Sequence, residues 1–189
     1  MIDEYFRLLT VFESYQPLPF LQSPFFRSTL ECAISCVGVN ELYAIESVLE
    51  YLRDSISFSM SPEIGIPRCN VQKSTTETQM VVKPLVNQLG NALVVEILKS
   101  TISTMPIDIM SLAALIIAQV IHLVDGTAVN WIETYVKSLP DDVAPVDVKL
   151  KFVTSLSNHQ PDQADWLLVR RKIYDFVALV RRRSVRESA

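Results

Sequence analysis

Glycine is scarce in this chain of 189 residues: Gly38, Gly65, Gly90 and Gly126 are the only four, and none has a second glycine at short spacing. A phosphate-cradling loop or a dinucleotide fingerprint needs several glycines where backbone must approach phosphate closely. Those chemistries are excluded. Histidine is scarcer still, with His122 and His159 far apart, and of the three cysteines only Cys32 and Cys36 lie close together. A zinc site needs more convergent nitrogen and sulfur ligands than this, so neither a metal nor a cofactor is expected. The low, odd cysteine count fits a reducing compartment. The opening Met1-Ile2-Asp3-Glu4-Tyr5 carries acid where a targeting leader would carry base.

What is abundant is apolar side chain. Hydrophobic residues make up 49% and charged ones 20%, with a mean hydropathy of +0.26, which argues against intrinsic disorder. Net charge is −4, unevenly spread. Residues 170–189 hold seven of the seventeen basic residues and two of the twenty-one acids, a balance of +5 against −9 for residues 1–169. The body should therefore attract basic partners and the tail acidic ones.

Apolar residues recur at spacings of three and four throughout, the signature of amphipathic helices. Tyr5, Phe6, Leu8, Leu9 and Phe12 form one stripe that ends before Pro17. Ser23-Pro24 reads as a cap opening a helix through Phe25, Phe26, Leu30, Ala33, Ile34 and Val37 to Gly38. Asn40 reads as the cap of the next, carried by Leu42, Ile45, Val48, Leu49, Leu52 and Ile56. Residues 59–76, with Pro62, Gly65 and Pro67, read as an exposed loop. Helix resumes from Val81 to about Thr104, with Gly90 marking a close helix–helix approach. Asp108 caps Ile109–Val124, and shorter helices follow around Trp131–Val136 and, after Pro145, around Val148–Leu156. The last opens near Pro161-Asp162 and runs through Leu167, Ile173, Phe176 and Val180.

That predicts eight helices and no strand. In consecutive pairs they fall near 2–37, 40–104, 107–138 and 146–183. Outside the loop-bearing second pair, each spans about 32 to 38 residues, the size of the helix hairpins that stack into α-solenoids. The expected fold is all-α, an α-α superhelix (HEAT-type or ARM-like solenoid) of about four hairpins over residues 1–189. A single bundle of eight helices is the alternative.

Ile109–Val124 carries no charge, yet a bilayer span takes roughly 20 apolar residues; length favours a helix buried among neighbours, with no membrane partner. Cys32 and Cys36, one helical turn apart, read as small hydrophobes. His159 with Asp162 and Asp165 lacks the mutual geometry a hydrolase needs, and no enzyme is expected. Arg170, Arg171, Arg181, Arg182 and Arg183 form the sharpest charge feature, with the two groups about three helical turns apart. They read either as a basic patch for phosphate or nucleic acid or as cations suited to a helix C-terminus. The aromatic interleaving of a nucleic-acid face is absent, which favours the second reading.

Several collinear segments resemble the late repeats of importin-β-family (karyopherin-β) nuclear transport receptors, closest to the transportin-SR branch. They are Asp3-Glu4-Tyr5-Phe6-Arg7-Leu8, Tyr15-Gln16-Pro17, Leu21-Gln22-Ser23-Pro24, Val86-Asn87-Gln88-Leu89-Gly90, Trp131-Ile132-Glu133, Lys137-Ser138-Leu139-Pro140 and Asp175-Phe176 with Arg181-Arg182. The resemblance implies the C-terminal HEAT-repeat segment of an import receptor that shuttles between cytoplasm and nucleus. Its cargo would be serine/arginine-rich or other RNA-binding proteins, carried in a cycle regulated by the GTPase Ran. Ran would bind through N-terminal repeats that this chain lacks. In such a superhelix the second helix of each hairpin lines the concave surface. That makes Glu31, Asn87, Gln88, Glu96, Asn130 and Glu133 candidate acceptors for a basic cargo, or simply the solvated face of amphipathic helices. Truncation ahead of the first hairpin predicts exposed apolar surface near Phe6, Leu9 and Phe12. Other helical-repeat scaffolds, export adaptors, and a nucleic-acid-binding module using the basic tail are the rival classes.

Overall fold

The structure, a computed structural model, describes residues 1–60, 75–124, 126–157 and 165–187. Among them the chain is all-α: α1 (Ile2–Tyr15), α2 (Pro17–Leu21), α3 (Phe26–Cys36), α4 (Leu42–Ser57), α5 (Thr76–Ser103), a 3₁₀ turn at Ile107–Ile109, α6 (Met110–Val124), α7 (Gly126–Ser138), α8 (Val146–Ser157) and α9 (Asp165–Glu187). Asp3 and Glu4 lie in the first turn of α1, favourable against the helix dipole, and Arg7 Nε donates to Asp3 Oδ1 at 2.6 Å. The helix stops at Gln16 because a residue preceding proline is driven out of helical backbone.

The local expectations miss in instructive places. Proline suits the first helical position, where its missing N–H costs nothing, so Pro17 starts the short α2 that brings the count of α-helices to nine among the described residues. The helix expected to be capped by Ser23 begins at Phe26, and the one expected to be capped by Asn40 has Glu41 as its N-cap; neither start has a side-chain cap. The loop expected over 59–76 is corrected at both of its ends, where residues are described. Ser59 and Met60 are buried, while Thr75 and Thr78 form a reciprocal capping box that starts α5 at Thr76. The segment 61–74, like Pro161-Asp162 and His159, lies outside the described residues. Pro84 sits inside α5, on its exposed side, where losing one backbone hydrogen bond is tolerated.

The helices pack in two rows. One runs α1, α4, α6, α9; the other runs α2 and α3, α5, α7, α8. Chain order alternates between the rows through α7, then α8 stays beside α7 and α9 crosses back onto α6. The fourth hairpin is therefore inserted in the opposite sense to the earlier ones. Buried residues make one continuous apolar cluster from Phe6 to Val180. α6 is its most apolar member, packed against α4, α5, α7 and α9. Thr76–Ser103 and Ile107–Val124 are each long and apolar enough to cross a membrane by length and composition, and most of the second is buried against its neighbours.

Polar links fasten the rows at helix ends. Thr78 Oγ1 donates to Phe58 O at 2.9 Å, joining the start of α5 to the end of α4, and Ser100 Oγ donates to Val37 O at 3.1 Å, joining the end of α5 to α3. Phe152 and Phe176 stack at 4.1 Å between α8 and α9.

The outer side of α1 is the main departure from core expectations. Phe6 and Leu9 face inward and are buried, whereas Tyr5, Leu8, Val11, Phe12 and Tyr15 are exposed. Apolar surface does lie open at this end, carried by Phe12 and its neighbours and not by Phe6 or Leu9. Phe25, Leu42 and Leu167, expected in the core, are also exposed. Each sits within the first turns or on the solvent side of a helix, positions that a count of threes and fours does not resolve.

Candidate functional site

The six candidate acceptors come from three different helices, α3, α5 and α7, and these are neighbours in one row. Glu31, Asn87, Gln88 and Asn130 are exposed, while Glu96 and Glu133 are half-buried. Residues on the second helix of the first three hairpins thus share one row because consecutive hairpins stack with the same sense.

Their partners are local. Arg27 Nε donates to Glu31 Oε1 at 2.9 Å and its Nη1 donates to Gln88 Oε1 at 2.8 Å, so one guanidinium spans α3 and α5. Lys99 lies 3.6 Å from Glu96, and Lys137 lies 2.5 Å from Glu133. The half-buried Tyr135 of α7 has its hydroxyl pKa raised, first by burial and then by the Glu96 charge, which places Glu96 beside α7. Glu31, Glu96 and Glu133 therefore each already have a cation from their own helix. Surface pairs at such spacing contribute well under about 1 kcal/mol.

The basic candidates divide. Arg181 turns inward: Nε donates to Thr101 O at 2.6 Å and Nη2 to Met105 O at 2.5 Å, satisfying carbonyls at the C-terminal end of α5. A single stripe running through all five arginines is therefore interrupted, because Arg181 is a bracket between α9 and α5. Arg171, Arg182 and Arg183 are exposed, and Arg170 is half-buried. Arg171 has Asp175 at 3.8 Å one turn along. Lys172 is drawn to α8, donating to Ser155 O at 2.5 Å.

The pattern of threes and fours also missed a buried polar cluster between α1 and α4. Glu13 is fully buried; Ser55 Oγ donates to its Oε1 at 2.6 Å, and Oε2 has no partner among the described residues. Burial pushes the Glu13 carboxyl well above its usual range, with Asp54 adding to the rise and Ser55 opposing it. Burial likewise raises Asp54, against the Arg53 guanidinium at 2.7 Å, and raises the Tyr51 hydroxyl, which shares a 2.6 Å hydrogen bond with Thr29. Glu13 falls at the inward position four residues after Leu9, the one sign in the sequence that a carboxylate would be turned into the core.

Among the described residues no group of His, Cys, Asp and Glu is placed to hold a metal ion. Cys32 is exposed and Cys36 half-buried; burial and the neighbouring Cys32 raise the Cys36 thiol, which disfavours the nucleophilic thiolate. No protein-family model matches the chain.

Proposed function

We propose that the chain is a HEAT-type segment from the C-terminal part of an importin-β-like nuclear import receptor, which binds protein cargo and performs no chemistry. The observation that supports this reading is the shared row of α3, α5 and α7, the helices that carry the acceptors of three successive hairpins. An extended arginine-rich cargo requires acceptors spread along a surface, not a pocket. The net −9 of residues 1–169 favours its approach. Two further features agree. Three hairpins stack with the same sense, and the exposed apolar side of α1 is where a preceding hairpin would lean. In the full receptor, cargo and Ran would compete through the curvature of the stack, the residues of this segment binding cargo and the earlier repeats binding GTP-loaded Ran.

The test is titration of a fluorescent arginine/serine-repeat peptide against wild type and an E31Q/E96Q/E133Q variant. Wild type should bind, the variant about tenfold more weakly. GTP-loaded Ran should release the peptide from the parent receptor chain. Equal binding by both proteins removes the cargo surface, and release that ignores Ran points to a helical-repeat scaffold of another kind.

A further inference from the structure

The solvent side of α9 is not the plain polar face of an end helix. Leu168, Arg171, Asp175, Ala178 and Arg182 recur at spacings of three and four, so they share one side of the helix. Leu168 is 44% exposed, Tyr174 38% and Leu179 37%. The buried stripe of the same helix (Val169, Ile173, Phe176, Val177, Val180) faces the protein, against α6, α5 and α8. At the Leu179 end of this side lies a shallow groove edged by Tyr174, Asp175, Leu179, Arg182 and Arg183. No acid among the described side chains pairs with Arg182 or Arg183.

We propose that this face is a docking surface for an acidic amphipathic helix of a partner protein. The partner's chemistry follows from the surface. Exposed leucine and tyrosine gain by burial against apolar side chains, at about 25 cal/mol per Å². A nucleic-acid backbone offers them nothing comparable. Asp175 lies beside Arg171, at 3.8 Å, so the cationic charge left without an acid partner among the described side chains lies at the Arg182 and Arg183 end. The arginines at one end of the groove match carboxylates flanking an apolar stripe, and an arginine fork engages a carboxylate with two parallel hydrogen bonds. The surrounding protein is acidic, so this cationic end is a local exception that selects which end of a partner helix lies where. The face lies in the row opposite α3, α5 and α7, so its test is independent of the cargo surface.

The experiment uses three labelled probes with the full chain. One is a helical Leu/Glu peptide with leucines on one side, one is the same composition scrambled, and one is oligouridylate. Wild type should bind the amphipathic peptide about tenfold tighter than the scramble, and R182E/R183E should lose about tenfold. A Leu/Lys version of the peptide should bind R182E/R183E better than it binds wild type. L168S/L179S should weaken binding about tenfold while circular dichroism shows the helix content retained. Equal affinity for the scramble, preference for oligouridylate, indifference to R182E/R183E, or no saturable binding at all would each overturn the proposal. So would self-association in sedimentation that R182E/R183E abolishes, because it assigns the face to a second copy.

Discussion

Gly90 lies against the indole of Trp131, so close that a Cβ at position 90 would stand 2.7 Å from a ring carbon. The contact joins α5 to α7 at the middle of their row. Alanine in mid-helix is ordinarily favoured over glycine by about 1 kcal/mol. Here that gain is opposed by an indole that must move. G90A is expected to lower stability by about 1–2 kcal/mol, read from urea denaturation. In a W131A background the same change should become neutral or stabilising. A Gly90→Ala effect that keeps its sign without the indole would show that the close approach does not matter.

Arg181 makes a second long-range prediction. Its guanidinium meets two carbonyls at the end of α5, Thr101 O and Met105 O, from the far end of the chain. Hydrogen bonds to a charged group contribute about 1.5–3 kcal/mol, so R181M should cost that order and lower the melting temperature. R182M, exposed on the same turn, should stay within about 0.5 kcal/mol of wild type. Equal losses in thermal melts would mean the bracket is not formed.

The contrast between these arginines shows what was legible in the residues alone. Helix existence and type were legible for long periodic stretches, because burying an apolar stripe forces a period near 3.6. The close approach at Gly90 was legible too. Which side of a cationic run turns inward was not, since Arg181 is distinguished from Arg182 only by the distant carbonyls of α5. Likewise, Tyr5, Leu8 and Phe12 look like core because they are apolar, yet the inward stripe of α1 is Phe6, Leu9 and Glu13. The candidate acceptors lie on three helices of one row, and their local cations follow from (i, i+3) and (i, i+4) spacing. The reversed fourth hairpin had no local signal at all.

Lys149 anchors the turn between α7 and α8. Its ammonium is buried, donates to Leu139 O, and meets Asp141 Oδ1 at 2.8 Å. The two bonds are unequal in environment, because Asp141 is largely exposed and Leu139 O belongs to the turn itself. K149M should therefore cost about 1–3 kcal/mol through the orphaned carbonyl, whereas D141N should cost less than about 1 kcal/mol. Denaturation midpoints of the two variants check the order; D141N the more damaging would place the weight on the ion pair.

Glu13 supplies a pH dependence whose sign follows from burial. Its ordinary value is 4.5, and in the folded protein burial between α1 and α4 raises it well above that. The acids facing it include Asp54, raised in the same direction, while Tyr51 adds only a hydroxyl; Arg53 is engaged by Asp54, and α2 contributes no charge. Above pH 4.5 the unfolded chain has lost the Glu13 proton while the folded chain keeps it. The folded state then binds more protons, so stability from this group is complete below pH 4.5 and declines as pH rises toward the folded value. E13Q cannot ionise and keeps an acceptor for Ser55. Its Nε2 takes the place of Oε2, which has no partner among the described residues. Its stability relative to wild type should therefore grow by about 1.4 kcal/mol per pH unit across that window and level off below it. Urea titrations at pH 4, 5, 6 and 7, as roughly unit steps through the window, read the difference directly. Parallel stability curves for E13Q and wild type would mean that the carboxyl reaches water or a cation in the folded protein.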